Sequence, residues 1–155
     1  MADKVIKEIT SVSKKGIDFI VNEEGLILHP YLDSVGVPTI GIGCTYWENG
    51  KRVTMADLPI TKERAIALFK RVLTIYEKEV WSRTRDDINQ NQFDALISLC
   101  FNIGVAGFKG STVLKRVNVR PSDPAIKDAF LMWRMAGGKP ILLGRRKREA
   151  SLYFS

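Results

Sequence analysis

An abrupt change of texture near residue 60 constrains the fold more than any other feature of the chain. From Tyr31 to Thr54, Gly36, Gly41, Gly43 and Gly50 punctuate β-prone residues, and Pro38 stands against a helix there. Beyond Pro59 every periodic segment is helical. Thr39-Ile40-Gly41-Ile42-Gly43 reads as a short strand, and Asn49-Gly50 between Thr45-Tyr46-Trp47 and Lys51-Arg52-Val53 is a hairpin signal. Two or three short antiparallel strands are not stable alone and must lean on a helix. The expected class is therefore α+β: a small lobe with an antiparallel sheet, a long helix joining it to an all-helical lobe, and a ligand cleft between them.

The chain divides on this reading into an N-terminal extension (1–12), a lobe with the sheet (13–60), a connecting helix (61–83) and a helical lobe (84–155). Val5, Ile9 and Val12 in the extension suit either an extra helical turn or a loose arm. Ser13 caps a helix running through Ile17, Ile20 and Val21 to Glu24, and Gly25 stands where a left-handed residue would end it. Thr61 caps the connecting helix, whose Ala65, Phe69, Val72, Tyr76 and Val80 share one face. Phe93, Leu96, Ile97 and Cys100 mark another helix, closed by Gly104. Shorter ones follow: one after Ser111, one from Ser122 or Asp123 with Trp133 near its end, and one through Arg145 to Tyr153.

At 155 residues and 45% hydrophobic, the chain can bury a core without disulfides or metal. Its longest nearly apolar stretch, Ala95 to Phe101, is too short to cross a membrane, and the N-terminus lacks a signal-peptide apolar region. A cytoplasmic, soluble product without stable membrane insertion is expected. Cys44 and Cys100 are then buried small hydrophobes rather than a bridge. Lys and Arg number 24 against 17 Asp and Glu, a net charge of +7 that suits a polyanion: nucleic acid, membrane or bacterial wall. The run Arg145-Arg146-Lys147-Arg148 reads as a solvated helix face, and without a recognition motif no nucleic-acid partner is expected.

The single histidine, His29, cannot supply a zinc amidase site and reads as a surface or edge residue. No Gly-x-Ser-x-Gly elbow, P-loop or dinucleotide fingerprint is present, so no cofactor or metal is implied. Carboxylate chemistry remains. Glycosidic hydrolysis needs one carboxyl group as acid and another, ionised, to hold a water or attack the sugar. Glu24 closes a helix among Val21, Leu26 and Leu28, an apolar setting that a neutral acid requires. Asp33 follows nine residues later in a polar turn, and Thr39 lies six beyond it, where it can help hold a water. With 17 acidic residues the same pair also reads as a helix-end surface acid and a turn-forming Asx residue.

The segment Glu24-Gly25-x5-Tyr31-x-Asp33-x2-Gly36-x2-Thr39-Ile40-Gly41-Ile42-Gly43 resembles the active-site segment of the phage-type lysozymes, glycoside hydrolase family 24. Further along, Gln92-Phe93-Asp94-Ala95-Leu96, Phe101-Asn102-Ile103-Gly104, Phe108 with Ser111-Thr112, Trp133 with Gly137-Gly138, and Gly144-Arg145-Arg146 with Glu149 and Tyr153 are similar to that family's C-terminal pattern. The resemblance covers about residues 13 to 155. It implies a lysozyme-like fold and a monomeric endolysin that hydrolyses the β-1,4 bond between N-acetylmuramic acid and N-acetylglucosamine in peptidoglycan. On this analogy Glu24 is the acid, Asp33 and Thr39 place the water for inversion, and Thr45, Phe101 and Ser111 contact sugar. Inversion requires carboxyl groups roughly 6.5–9.5 Å apart. One departure stands beside the motif: the family usually has a histidine, commonly structural, where this chain has Cys44. A silent wall-binding module and a lytic transglycosylase are the competing readings.

Overall fold

Local chemistry sets the first helix. In the computed structural model, which describes residues 8–155, Ser13 Oγ accepts the Gly16 amide at 3.1 Å. Helix α1 then runs Lys14–Glu24, with Ile17 and Ile20 buried. It ends because Gly25 adopts φ +85°, which side-chain-bearing residues rarely take. Residues 8–12 form no helix, yet Ser11 and Val12 are hydrogen-bonded to later residues, so neither an extra helical turn nor a loose arm describes them; Val5 lies outside the described residues.

Strands β1 (Ile27–Leu32) and β2 (Pro38–Gly41) form a two-stranded antiparallel sheet, with Tyr31 opposite Thr39, Leu32 opposite Pro38, and an irregularity between Ile27 and Tyr31. The expected strand Thr39–Gly43 is thus shifted toward Pro38, and its partner β1 is an element the sequence reading lacks. The hairpin closes through Trp47 N–H to Lys51 C=O (2.8 Å) and Val53 N–H to Thr45 C=O (2.9 Å). It forms only an isolated Tyr46–Arg52 bridge, not extended strands.

Helix α2 (Lys62–Arg83) has 22 residues, about 33 Å of rise. Thr61 Oγ1 accepts the Arg64 amide at 3.1 Å, as its capping role requires. Its core face needs one correction. Ala65, Phe69 and Val80 are buried as expected, but Val72 is 38% exposed, while Leu68 and Leu73 are buried. The chain divides into two compact units, 18–74 on one side and the residues up to Ile17 with Ile75–Ser155 on the other. Each end of α2 packs within its own unit, and Val72, Thr74 and Ile75 near the division stay exposed. In the first unit α2 meets the sheet closely: a Cβ on Gly41 would stand 3.3 Å from that of Ala65.

The second unit holds α3 (Gln90–Ile103), α4 (Val105–Lys109), α5 (Thr112–Val119), α6 (Ile126–Leu131) and α7 (Leu143–Tyr153). Asn89 and Gln92 form a reciprocal capping box at the start of α3. Helix α4 is absent from the sequence expectations. Helix α6 begins later than expected, because Asp123 Oδ1 takes the Ala125 amide (2.9 Å) in a turn before it, and Trp133 falls beyond its end.

The basic run on α7 is the largest correction. Lys147 and Arg148 are exposed, but Arg145 and Arg146 are buried. Both converge on Glu149, which is itself wholly buried: Arg145 Nε stands 3.2 Å from Oε2 and Arg146 Nε 2.8 Å from Oε1. Ser98 on α3 donates to Glu149 Oε2 at 2.5 Å, and Arg146 Nη2 donates to Asn102 Oδ1. Burial pushes the Glu149 carboxyl upward, and Arg146, Ser98 and Arg145 pull it back. Cys44 and Cys100 are buried free thiols, as expected.

The segment before α1 is strapped down by carboxylates. Val12 N–H donates to Glu77 Oε2 (2.7 Å), while Ser13 donates to Asp94 through its amide (3.1 Å) and its hydroxyl (2.5 Å). Gln90 Nε2 donates to Ser11 C=O (3.0 Å) and Asp94 Oδ1 (2.8 Å). The Glu77 carboxyl is raised, first by burial; the Val12 amide lowers it and Asp94 raises it further.

Removing Glu149 leaves two buried guanidinium groups without their counter-charge. Glu149→Ala should therefore cost about 3–5 kcal/mol in a urea melt. Glu77 has the opposite sense. A carboxyl raised by folding contributes stability below its unfolded pKa and loses it as pH rises through the folded value. Glu77→Gln keeps an acceptor for Val12 and should raise the denaturation midpoint at pH 7, with a smaller effect at about pH 4.

Candidate active site

Glu24, Asp33 and Thr39 all belong to the unit 18–74. Glu24 is the last residue of α1 and its side chain is exposed, so the apolar setting expected around it is not what the structure provides. The reason is geometric. Gly25 turns the chain at the helix end, and Leu26, Ile27 and Leu28 enter the sheet segment without enclosing the carboxylate.

Asp33 opens the turn joining β1 to β2. Its amide donates to Val37 C=O (3.0 Å), and Gly36 N–H returns to Asp33 C=O (3.0 Å). Its Oδ1 accepts the amides of Val35 and Val37, both at 2.9 Å. The Asx-turn reading of Asp33 is therefore correct as local structure, and it orients the carboxylate. Thr39 is buried in β2, and its hydroxyl donates to Val37 C=O at 2.8 Å. With its proton committed there, Oγ1 is left with lone pairs to offer.

Tyr31 ties the constellation together. It pairs with Thr39 across the sheet. Its phenol is held above the usual range, first by burial and then by the Asp33 carboxylate, with Cys44 and Glu24 adding less. Tyr31 belongs to the sequence motif, and its fixed position two residues before Asp33 is the signal that marks it.

Cys44 closes a tight turn, exchanging backbone hydrogen bonds with Ile40 at 2.9 and 3.0 Å. It is buried, and burial pushes its thiol up; the Ile42 backbone lowers it and Glu48 raises it. A neutral buried thiol packs as a small hydrophobe rather than serving as a nucleophile. His29 is exposed at the sheet, with Nδ1 3.2 Å from Pro30 C=O.

The residues assigned to sugar contact lie in both units. Thr45 is half-buried at the start of the hairpin. Phe101 is half-buried and stands edge-on to Tyr76 at 5.2 Å. Ser111 is buried as the cap of α5, donating to Phe108 C=O (2.8 Å) and accepting the Leu114 amide (3.1 Å). Its hydroxyl is thus engaged in backbone bonds.

The chain is similar to known proteins over most of its length. The endolysin of Salmonella phage P22 is 46% identical over 145 residues, spanning 93% of this chain and 98% of the relative. A crystal structure of a P22 lysozyme mutant matches with a TM-score of 0.88 at 44% identity, covering 95% of this chain and all of the other. The muramidase domain of SpmX from Asticaccaulis excentricus matches at 0.77 with 31% identity, covering 95% and 99% of the two chains. The phage lysozyme family model matches residues 21–149, a span that begins within α1 and ends at the buried Glu149 of α7, and the chain belongs to the phage lysozyme family.

Proposed function

We propose that this protein is an endolysin-type lysozyme, an N-acetylmuramidase that hydrolyses the β-1,4 bond between N-acetylmuramic acid and N-acetylglucosamine in peptidoglycan. Family membership supports the muramidase activity. The observation that carries the residue assignment is the β1–β2 turn, where two amides fix Asp33 Oδ1 and Thr39, its proton given to Val37 C=O, stands in the strand that follows.

Glu24, exposed at the end of α1, serves as the general acid that protonates the leaving glycosidic oxygen. Asp33 commits Oδ1 to the turn amides, so Oδ2 takes one hydrogen of the attacking water. Thr39 Oγ1, its own proton given to Val37 C=O, accepts the other. A water held through both hydrogens presents a lone pair to the anomeric carbon, on the face opposite the departing oxygen. As the C–O bond breaks, that oxygen takes the proton of Glu24, and Asp33 receives the proton the water releases. The product is an inverted reducing sugar. Thr45, Phe101 and Ser111 are proposed to bear on the glycan.

Among the described residues no helix is long and apolar enough to cross a membrane. The protein is proposed to act as a monomer. It would be held in the cytoplasm of the producing bacterium until a separate pore releases it to the wall.

Purified peptidoglycan tests the assignment. Mass spectrometry should find reducing muropeptides; anhydro ends would indicate a transglycosylase, and sedimentation without soluble products a silent binding module. Glu24→Gln and Asp33→Asn should each lower the clearing rate by about 10²–10⁴-fold. Asn at position 33 retains an acceptor for the turn amides, so its melting temperature should stay near that of the parent. Thr39→Ala, losing one hydrogen bond to the water, should cost roughly tenfold. Undiminished lysis by Glu24→Gln would sink the assignment.

A further inference from the structure

The hairpin of the unit 18–74 carries a second constellation that shares no residue with Glu24, Asp33 and Thr39. Trp47 is half-buried, and its indole Nε1 donates to Asp57 Oδ2 at 2.7 Å, an oxygen that also accepts the Thr54 amide at 2.8 Å. The guanidinium of Arg64 stacks on the Trp47 ring at 4.6 Å from its centroid. That guanidinium is fixed in turn by two bonds to Glu48, each 3.1 Å. The indole is oriented from its edge and from one face before any ligand arrives. A pocket of about 520 Å³ opens here, lined by these four side chains with Asn49 and Leu58 among others, and Leu58 is 80% exposed.

The chemistry of the lining selects among ligands. Glu48 balances Arg64, and Asp57 adds one further negative charge. Asp57 is held below the ordinary carboxylate range, chiefly by the Thr54 amide and then the Trp47 indole; Glu48 is held low chiefly by Arg64. Arg71, whose charge also acts on Glu48, offsets the extra negative charge, so the pocket holds no net positive charge that would select phosphate or anionic headgroups. A neutral polyol with one apolar face fits it. The indole and Leu58 offer apolar contact for ring C–H and N-acetyl methyl groups, while Asn49, Glu48, Asp57 and Arg64 supply donors and acceptors for hydroxyl and amide groups.

We propose that the Trp47–Leu58 pocket is an accessory binding site for neutral N-acetylamino sugars of the glycan strand, separate from the hydrolytic residues. The choice of glycan as occupant rests on the muramidase reading. An accessory site tethers the enzyme to an insoluble polymer and raises the local concentration of cleavable bonds. It therefore matters for intact wall and not for a short soluble chain.

The test uses the full chain with Glu24→Gln, labelled with ¹⁵N and titrated with tri-N-acetylchitotriose. Among the indole signals of the three tryptophans, that of Trp47, assigned by Trp47→Phe, should move to saturation. Leu58→Asp, at an exposed position, should weaken that response about tenfold. With Glu24 intact, Leu58→Asp should slow clearing of insoluble peptidoglycan roughly threefold to tenfold and leave cleavage of a short soluble oligosaccharide within about twofold. A Trp47 signal unmoved at saturating sugar would overturn the proposal. A shift without hydrolysis by the unsubstituted chain would uphold the pocket and overturn the muramidase reading; hydrolysis without a shift would do the reverse.

Discussion

The carboxylate of Glu149 sets the terms on which the helical unit packs. A wholly buried carboxylate is tolerable only with counter-charge and hydrogen bonds around it. Arg145 and Arg146 provide the charge from the same helix, and Ser98 supplies a hydroxyl from α3. The interface of α3 and α7 is thereby registered, since sliding either helix by one residue would separate these groups. Around this polar knot the packing is ordinary: Phe93, Leu96 and Ile97 on α3 and Ala150 on α7 are buried. At the end of α7, Tyr153 lies 5.8 Å from the ring of Phe130 and donates its hydroxyl to Pro121 C=O at 2.7 Å.

The same economy governs the smaller unit, where a group that shapes the backbone also presents chemistry. Asp33 holds the β1–β2 turn with one oxygen, and Thr39 spends its proton on Val37. In the unpartnered alternative both side chains would sample several rotamers, and a water held between them would be ordered only at an entropic cost. Local structural duty and function are therefore not competing explanations for these residues. The turn bond is what makes the side chain usable.

Cationic side chains are likewise placed before they act. Arg64 is clamped by Glu48 against Trp47, and Arg52 stands over the Tyr46 ring at 5.1 Å. The net charge of +7 already sets Glu48 against Arg64. The buried Arg145, Arg146 and Glu149 together keep one net positive charge from the surface.

What the sequence by itself determined is what depends on neighbours within a few residues. Ser13, Thr61 and Ser111 lie immediately before their helices, because a cap is a bond to an amide two or three residues on. Gly25 and Gly104 end theirs through positive φ. The residues alone leave Glu24 and Asp33 readable as ordinary surface acids, and it is the resemblance of their segment to the phage-type lysozymes that singles them out and adds Thr39. Only the tertiary structure decided the rest. Strand β1 contains His29 and Pro30 and shows no alternating burial; it is a strand because β2 supplies its partners. Helix α4 is five residues with no side-chain cap, and Trp133 seats against it, its ring 3.1 Å from where a Cβ on Gly107 would lie. The exposure of Glu24 and the burial of Arg145 and Arg146 follow from the same source. Whether a charge meets water or a counter-charge is set by elements distant in sequence, and no local pattern of residues encodes it.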